Sequence, residues 1–285
     1  MARVSFSAVW KRTEPASALL VAALAAMLLA TAGGLMLIET RAARLGAGEM
    51  LRLAQAKAGA DALLAEALIR LDSDSPLPTQ GLLFETETGR VWRQDAAGLL
   101  DINAADPGHL AALLIAAGAT QERAAQLADS IADWRDVDDV RRLHGAETRD
   151  YADAALAPPG NRPFATEDEI LAVLGMDASL AACLKPWLTT YSGSSNIDPS
   201  AAPSALRAAL GLAAGAPSAG APLGRVIMLS AEAPLSEHAV LRRTLWIRLT
   251  GSAHQAVLTH RAAETLAPVG SFEPPLPCAP AEVAS

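Results

Sequence analysis

Between Ile131 and Glu147 the chain reads IADWRDVDDVRRLHGAE, and the fifteen residues from Asp133 hold four aspartates, three arginines and a glutamate. Carboxylates this dense can bind a divalent cation, do general acid/base work, or face water beside the arginines between them. Asp136, Asp138, Asp139, Glu147, Asp150 and Asp153 all fall within eighteen residues, and the first five form the candidate ligand set. Calcium needs about 6–8 oxygens at roughly 2.3–2.6 Å, from any segment. The spacing is not that of an EF-hand: counted from Asp136, Val140 and Arg141 stand where an acid and a glycine belong. The competing reading is a solvated loop whose acids pair with Arg135, Arg141, Arg142 and Arg149. Residue types alone leave both open.

Other chemistry finds no support. HExxH, GxxxxGK[ST], CxxC and GxSxG are all absent from the sequence. His109, His144, His238, His254 and His260 are scattered, so no enzyme is expected. Two cysteines, Cys183 and Cys278, exclude a Cys₄ zinc site and a disulfide-dense scaffold. A net charge of −8 and a pI near 5.2 lack the basic footprint of a nucleic-acid binder.

The elements that must position the acids can be read along the chain. Residues 17–38, SALLVAALAAMLLATAGGLMLI, carry no charge over 22 positions, enough helix to span a ~30 Å hydrocarbon layer. Arg3, Lys11 and Arg12 precede it and place the N-terminus in the cytoplasm. Helical periodicity then continues through Leu45, Leu53, Leu64 and Leu68 with no proline before Pro76, which argues for a retained helix over 17–71 rather than a removed signal peptide. Within residues 72–103, GLLFETETGRVWRQDAAGLLDI reads as a strand pair around TETG. Residues 104–212 are helical. Asp106 caps a helix with Pro107 at its first position, Thr120 caps a second that ends near Trp134 or Arg135, Thr166 and Glu169 form a capping box, and Asp177 opens another helix. A small-residue linker covers 213–224, β-like alternation returns over 225–264, and 265–285 is a Pro/Ala-rich tail. Strands on both sides of a helical block can pair into one sheet, so the block reads as an insertion and the fold class as α+β.

LDINAADPGHLAALLIAAG, FATEDEILAVLGM and NIDPSAAPSALRAALGL echo helix-hairpin-helix units. Their hairpins, AGATQ and GMDAS, lack the second glycine of the phosphate-binding form and are surrounded by acids, which repel phosphate. The alternative function this echo raises is a membrane-anchored DNA-binding protein for DNA uptake.

The ordered series GLLDINAA, IADWRDVDD, GAETRDY, NRPFATEDEILAVLGM, LKPWLTTY and NIDPSAA resembles the protein K family, the minor pseudopilins of type II secretion, over residues 97–212. The resemblance implies a type IV pilin-like fold: a long N-terminal transmembrane helix, an antiparallel sheet and a large inserted all-helical, helix-hairpin-helix or SAM-like domain. It implies a non-enzymatic role at the tip of a periplasmic pseudopilus, supporting assembly and protein export across the outer membrane. The implied partners are the minor pseudopilins I and J, the major pseudopilin and the inner-membrane platform, with no nucleic acid. The helical insertion of this family carries calcium, which favours a site among the acids. A prepilin leader over residues 1–16 is implied as well, with cleavage between Ala16 and Ser17. The family's cleavage follows a glycine, whereas here Ala16 stands beside Pro15. Counting from Ser17, the fifth mature residue is Val21, where major pilins hold a glutamate. A tip subunit has none above it whose amine needs that costly intramembrane charge. In an oxidising periplasm Cys183 and Cys278 could pair, or Cys183 could sit buried and inert.

Overall fold

The computed structural model describes residues 24, 26–27, 47–71, 78, 80–213, 215, 224–249, 257–269 and 276. The chain divides into two compact units, residues 1–54 and 55–285. In the first, the described residues are helical. The leader over 1–16, with Ala16 and Ser17, and nearly all of the 17–38 segment lie outside the described residues. Among the described residues no helix is long and apolar enough to cross a membrane.

The second unit opens on helical residues 55–71, α1. Ala56, Ala60, Leu63, Leu64 and Ala67 recur at helical spacing and are the buried positions of this helix. This stripe lies on a five-stranded antiparallel sheet of order β1-β2-β5-β6-β7, built from β1 (Gln80–Thr86), β2 (Gly89–Asp95), β5 (Val226–Pro234), β6 (Ala239–Leu249) and β7 (Val257–Pro268). β5 turns Ile227, Leu229, Ala231 and Ala233 to the helix side, each at most 2 % exposed, as period-two alternation requires. Small residues let the layers close: a Cβ on Gly59 would touch that of Ala233 at 3.6 Å. Lys57 pairs with Glu264 at 2.8 Å and Arg243 with Asp61 at 2.7 Å along the rim of this contact. The TETG segment forms the β1–β2 turn as its composition predicts, closed by Gly89 at φ +143° against the carbonyl of Glu232.

β2 and β5 are direct neighbours in the sheet, and everything between them leaves and returns at that seam. The intervening block holds α2 (Pro107–Ala116), α3 (Gln121–Arg135), α4 (Thr148–Asp153), α5 (Ala178–Leu184) and α6 (Ser204–Ala209), with 3-10 turns at Ala96–Gly98, Glu167–Ala172 and Lys185–Trp187. A short parallel ladder of β3 (Leu100–Asp101) with β4 (Leu188–Thr189) ties its two ends together. The block has its own core, in which Leu110, Leu127, Ile131, Trp187 and Leu206 are among the buried side chains. At the seam, Arg225 binds Asp198 at 2.8 Å and the fully buried Asp95 at 3.4 Å. Gln94 and Gln80 donate to the carbonyls of Ala201 and Ala202, each at 2.9 Å.

Asp106 and Thr120 cap α2 and α3 through their side chains, and Asp177 caps α5. The capping box expected at Thr166 is not made: the segment is a 3-10 helix, and Glu169 instead binds Arg162 and accepts from the Ala165 N–H. An arginine seven residues back competes for the carboxylate that a box would need. β7 runs on to Pro268, past the 264/265 boundary that composition suggests. Most of the 213–224 linker lies outside the described residues.

Candidate metal centre

The acids gather where α3 stops and α4 begins. α3 is buried through its last turns, including Leu127, Ile131, Ala132, Asp133 and Trp134. Trp134 stacks on Phe164 with ring centroids 3.9 Å apart and planes 13° from parallel, fixing the helix end in the core. Arg135 turns away from the acids and donates to the carbonyls of Ile102 and, at 2.7 Å, Ala105. Burial lowers its pKa. Asp136 is the C-cap of α3, Asp138 accepts from the Val140 N–H at 2.9 Å to turn the loop, and Glu147 is the N-cap of α4.

The loop's own cations take some of these acids. Arg142 Nη1 lies 2.5 Å from both Asp133 Oδ1 and Asp136 Oδ2, and its backbone N–H donates to Asp133 Oδ2. These bonds raise the Arg142 pKa, Asp136 contributing most. Asp133 is fully buried, and burial raises its pKa against the pull of Arg142. Gly145 is obligatory beside it, since a Cβ there would fall 1.9 Å from Asp133 Oδ2. Asp150 accepts from the Glu147 N–H at 2.9 Å and pairs with Arg141 at 3.1 Å. The first contact does most to lower its pKa. Asp139 accepts from Thr148 Oγ1 at 3.0 Å.

Glu147 is different. Its side chain is buried, the residue being 5 % exposed; it faces the Asp150 amide as in a capping box but neither carboxylate oxygen completes a hydrogen bond, and Asp136 Oδ1 is likewise buried and unpartnered. Desolvation, then the charges of Asp133, Asp136, Asp139 and Asp138, push the Glu147 carboxyl up to about 7. A buried acid without a donor is costly unless a charge partner arrives. One oxygen each of Asp136, Asp138 and Glu147 lies within 4.8 Å of the others. Oxygens bound to one calcium at 2.3–2.6 Å can stand up to about 5 Å apart, so the three fit a common ion.

Of the five acids singled out in the sequence, the fold therefore gathers Asp136, Asp138 and Glu147 and engages Asp139 and Asp150 elsewhere. Sequence reasoning named Arg142 only as one of four arginines that pair with the acids, and passed over Asp133 and Gly145 as parts of the centre. The available signal was that Asp133 falls on the buried stripe of α3 between Ser130 and Trp134, where an acid demands a partner. Cys183 is disulfide-bonded and 8 % exposed on α5, and Cys278 lies outside the described residues. At the α2–α3 hairpin the neighbouring cation, Arg123, is paired with Asp177 at 2.5 Å.

The block that holds this centre, residues 93–193, matches the family model described as Type II secretion system (T2SS), protein K. These residues are similar to the protein K family. A stretch of 76 residues, 27 % of this chain, is 34 % identical to type II secretion system protein K of Dickeya chrysanthemi and spans 21 % of that relative, about a fifth of its length. Among solved structures, a chain of the GspK-GspI-GspJ complex from the enterotoxigenic Escherichia coli Type 2 Secretion System is 19 % identical, with a TM-score of 0.49 over 80 % of this chain and 99 % of that one. The acid loop, Trp134 and Phe164 all lie inside the matched protein K segment.

Proposed function

We propose that this protein is a minor pseudopilin at the tip of a type II secretion pseudopilus, and that it supports pseudopilus assembly and protein export without catalysis. The observation that carries the reading is the protein K match over residues 93–193. In this reading the uncharged 17–38 segment anchors the chain in the inner membrane, the rest lies in the periplasm, and the leader is removed between Ala16 and Ser17. The minor pseudopilins I and J, the major pseudopilin and the inner-membrane platform are its partners. Deleting the protein should abolish secretion or change pseudopilus length. Export and length both unchanged in its absence would overturn the reading. Mass spectrometry of the mature N-terminus should find a methylated Ser17.

The acid centre, in the same reading, holds calcium through Asp136, Asp138 and Glu147. The support is the buried, donorless Glu147 carboxylate, which a hard divalent ion would satisfy. Bound there, calcium supplies fixed positive charge and joins the end of α3 to the start of α4. Its role is structural.

A further inference from the structure

The helical block is joined to the sheet at two points that lie side by side. It leaves at the end of β2 and returns at the start of β5, and these strands are neighbours, with Asp95 paired to Ile227. Two adjacent attachments define a hinge axis, about which a block can rock unless something off the axis holds it. The chain supplies such a point. Cys183, in the buried core cluster of the block, is disulfide-bonded, and Cys278 is the only other cysteine of the sequence. Two residues before Cys278, Leu276 packs, partly buried, against the same core. We infer that the C-terminal segment is a covalent clamp, in which a Cys183–Cys278 disulfide and Leu276 tie the β7 edge of the sheet to α5 and lock the helical block in place.

The position of β7 makes this third attachment effective. It is the edge strand two places beyond β5, and its last residue, Pro268, pairs with Ala239 at the end of β6 away from the seam. The seam end of β6 is marked by Arg248, opposite Val226. Val269 stays in this frame, donating its N–H to the carbonyl of His238 at 3.2 Å. Pro274, Pro275 and Pro277 surround Leu276 in the sequence. A proline-rich spacer is semi-rigid, so it transmits restraint where a Gly/Ser linker would give. The seam itself is closed by polar contacts, the Arg225 pairs with Asp95 and Asp198 and the Gln94 and Gln80 bonds to Ala201 and Ala202, which can break singly as the block rocks. The disulfide forms when two thiols give up two protons and two electrons to a disulfide-bearing oxidant, which leaves as a dithiol. Cys183 is 8 % exposed, so the finished bond is shielded from thiolate attack.

Peptide mapping of the full chain in detergent, without reductant, should find Cys183 joined to Cys278 within one chain. Reduction with dithiothreitol after folding should then lower the melting temperature by about 5 °C or more. The lock itself is read by hydrogen exchange at the seam, where the Asp198 N–H donates to the Ala97 carbonyl at 2.7 Å. Opening the clamp should speed exchange of that amide by about tenfold or more and leave amides inside α3 unchanged. The double variant Cys183→Ala, Cys278→Ala should match the reduced parent and ignore dithiothreitol, and Leu276→Ser should keep the disulfide yet show part of the seam effect. If the double variant does not fold, the parent folded and then reduced gives the same comparison. Two free thiols per chain, or a disulfide between chains, would overturn the pairing. A Cys183–Cys278 bond whose reduction leaves seam exchange unchanged would overturn the lock and leave only a stapled tail.

Discussion

Replacing Glu147 by glutamine should stabilise the cation-free protein, an outcome opposite in sign to that of most substitutions at buried positions. Burial and neighbouring acids raise the Glu147 carboxyl from 4.5 to about 7 in the folded protein. Below pH 4.5 both states hold the proton and the group costs nothing. As pH rises from about 4.5 to about 7, the unfolded chain releases its proton while the folded one retains it. Stability therefore falls through that window, by about 3 kcal/mol in all at one pKa unit per 1.36 kcal/mol. Glutamine has no proton to lose. In EGTA at pH 7.5, Glu147→Gln should melt higher than the parent by roughly 6–12 °C, since 1 kcal/mol moves a unit of this size by about 2–4 °C. At pH 4 the two should coincide.

Calcium closes most of that gap. Ion binding at a hundredfold excess over Kd adds about 2.7 kcal/mol to the parent and nothing to the variant. Because Glu147 must give up its proton to bind, apparent calcium affinity should fall on the order of a hundredfold between pH 7.5 and pH 5. Differential scanning calorimetry of the full chain in detergent, at three pH values with calcium or EGTA, reads all of these quantities. A variant that melts below the parent in EGTA at pH 7.5, or that keeps the full calcium shift, refutes the assignment of Glu147 as the unsatisfied ligand.

Other perturbations test the frame around the centre. Gly145→Ala forces a Cβ onto the Asp133 carboxylate and should cost about 1–3 kcal/mol, the range for overpacking, with weaker calcium binding as its second signature in titration calorimetry. Trp134→Ala removes the ring stacked on Phe164 and should cost about 3–5 kcal/mol by chemical denaturation. Arg225→Met strands the buried Asp95 carboxylate at the seam between sheet and helical block. A loss of about 2–4 kcal/mol, with faster hydrogen exchange at Ala97 and Asp198, is expected there.

The helix boundaries and the insertion were legible because their signals are local. Asp106 before Pro107, Thr120 before Gln121 and Asp177 before Ala178 each satisfy an orphan amide within their own segment. The TETG turn and the strand alternation are local in the same sense. The capping box at Thr166 failed because Glu169 had a competitor, Arg162, whose approach depends on the fold of the intervening residues. The acids that gather were legible only as a pool. Proximity in sequence could not tell that Asp150 would turn back to the Glu147 amide and Arg141, or that Thr148 would hold Asp139. Nor could it tell that Arg142 would reach past the loop to the buried Asp133.

Arg142 also explains why the two readings of the acid loop were hard to separate from residue types. The arginine-paired reading describes part of it. One guanidinium bridges Asp133 and Asp136 and discharges the side of the cluster that faces α3. On the other side Glu147 is more buried than Asp136, its carboxylate completes no hydrogen bond, and the neighbouring acids raise its cost. A loop meant only to be solvated would place Glu147 in water, where an N-cap carboxylate is tolerated without strain. A loop with a pre-satisfied core would give it an arginine. The arrangement does neither, and the calcium proposed above would satisfy Glu147, Asp138 and the free Asp136 oxygen together.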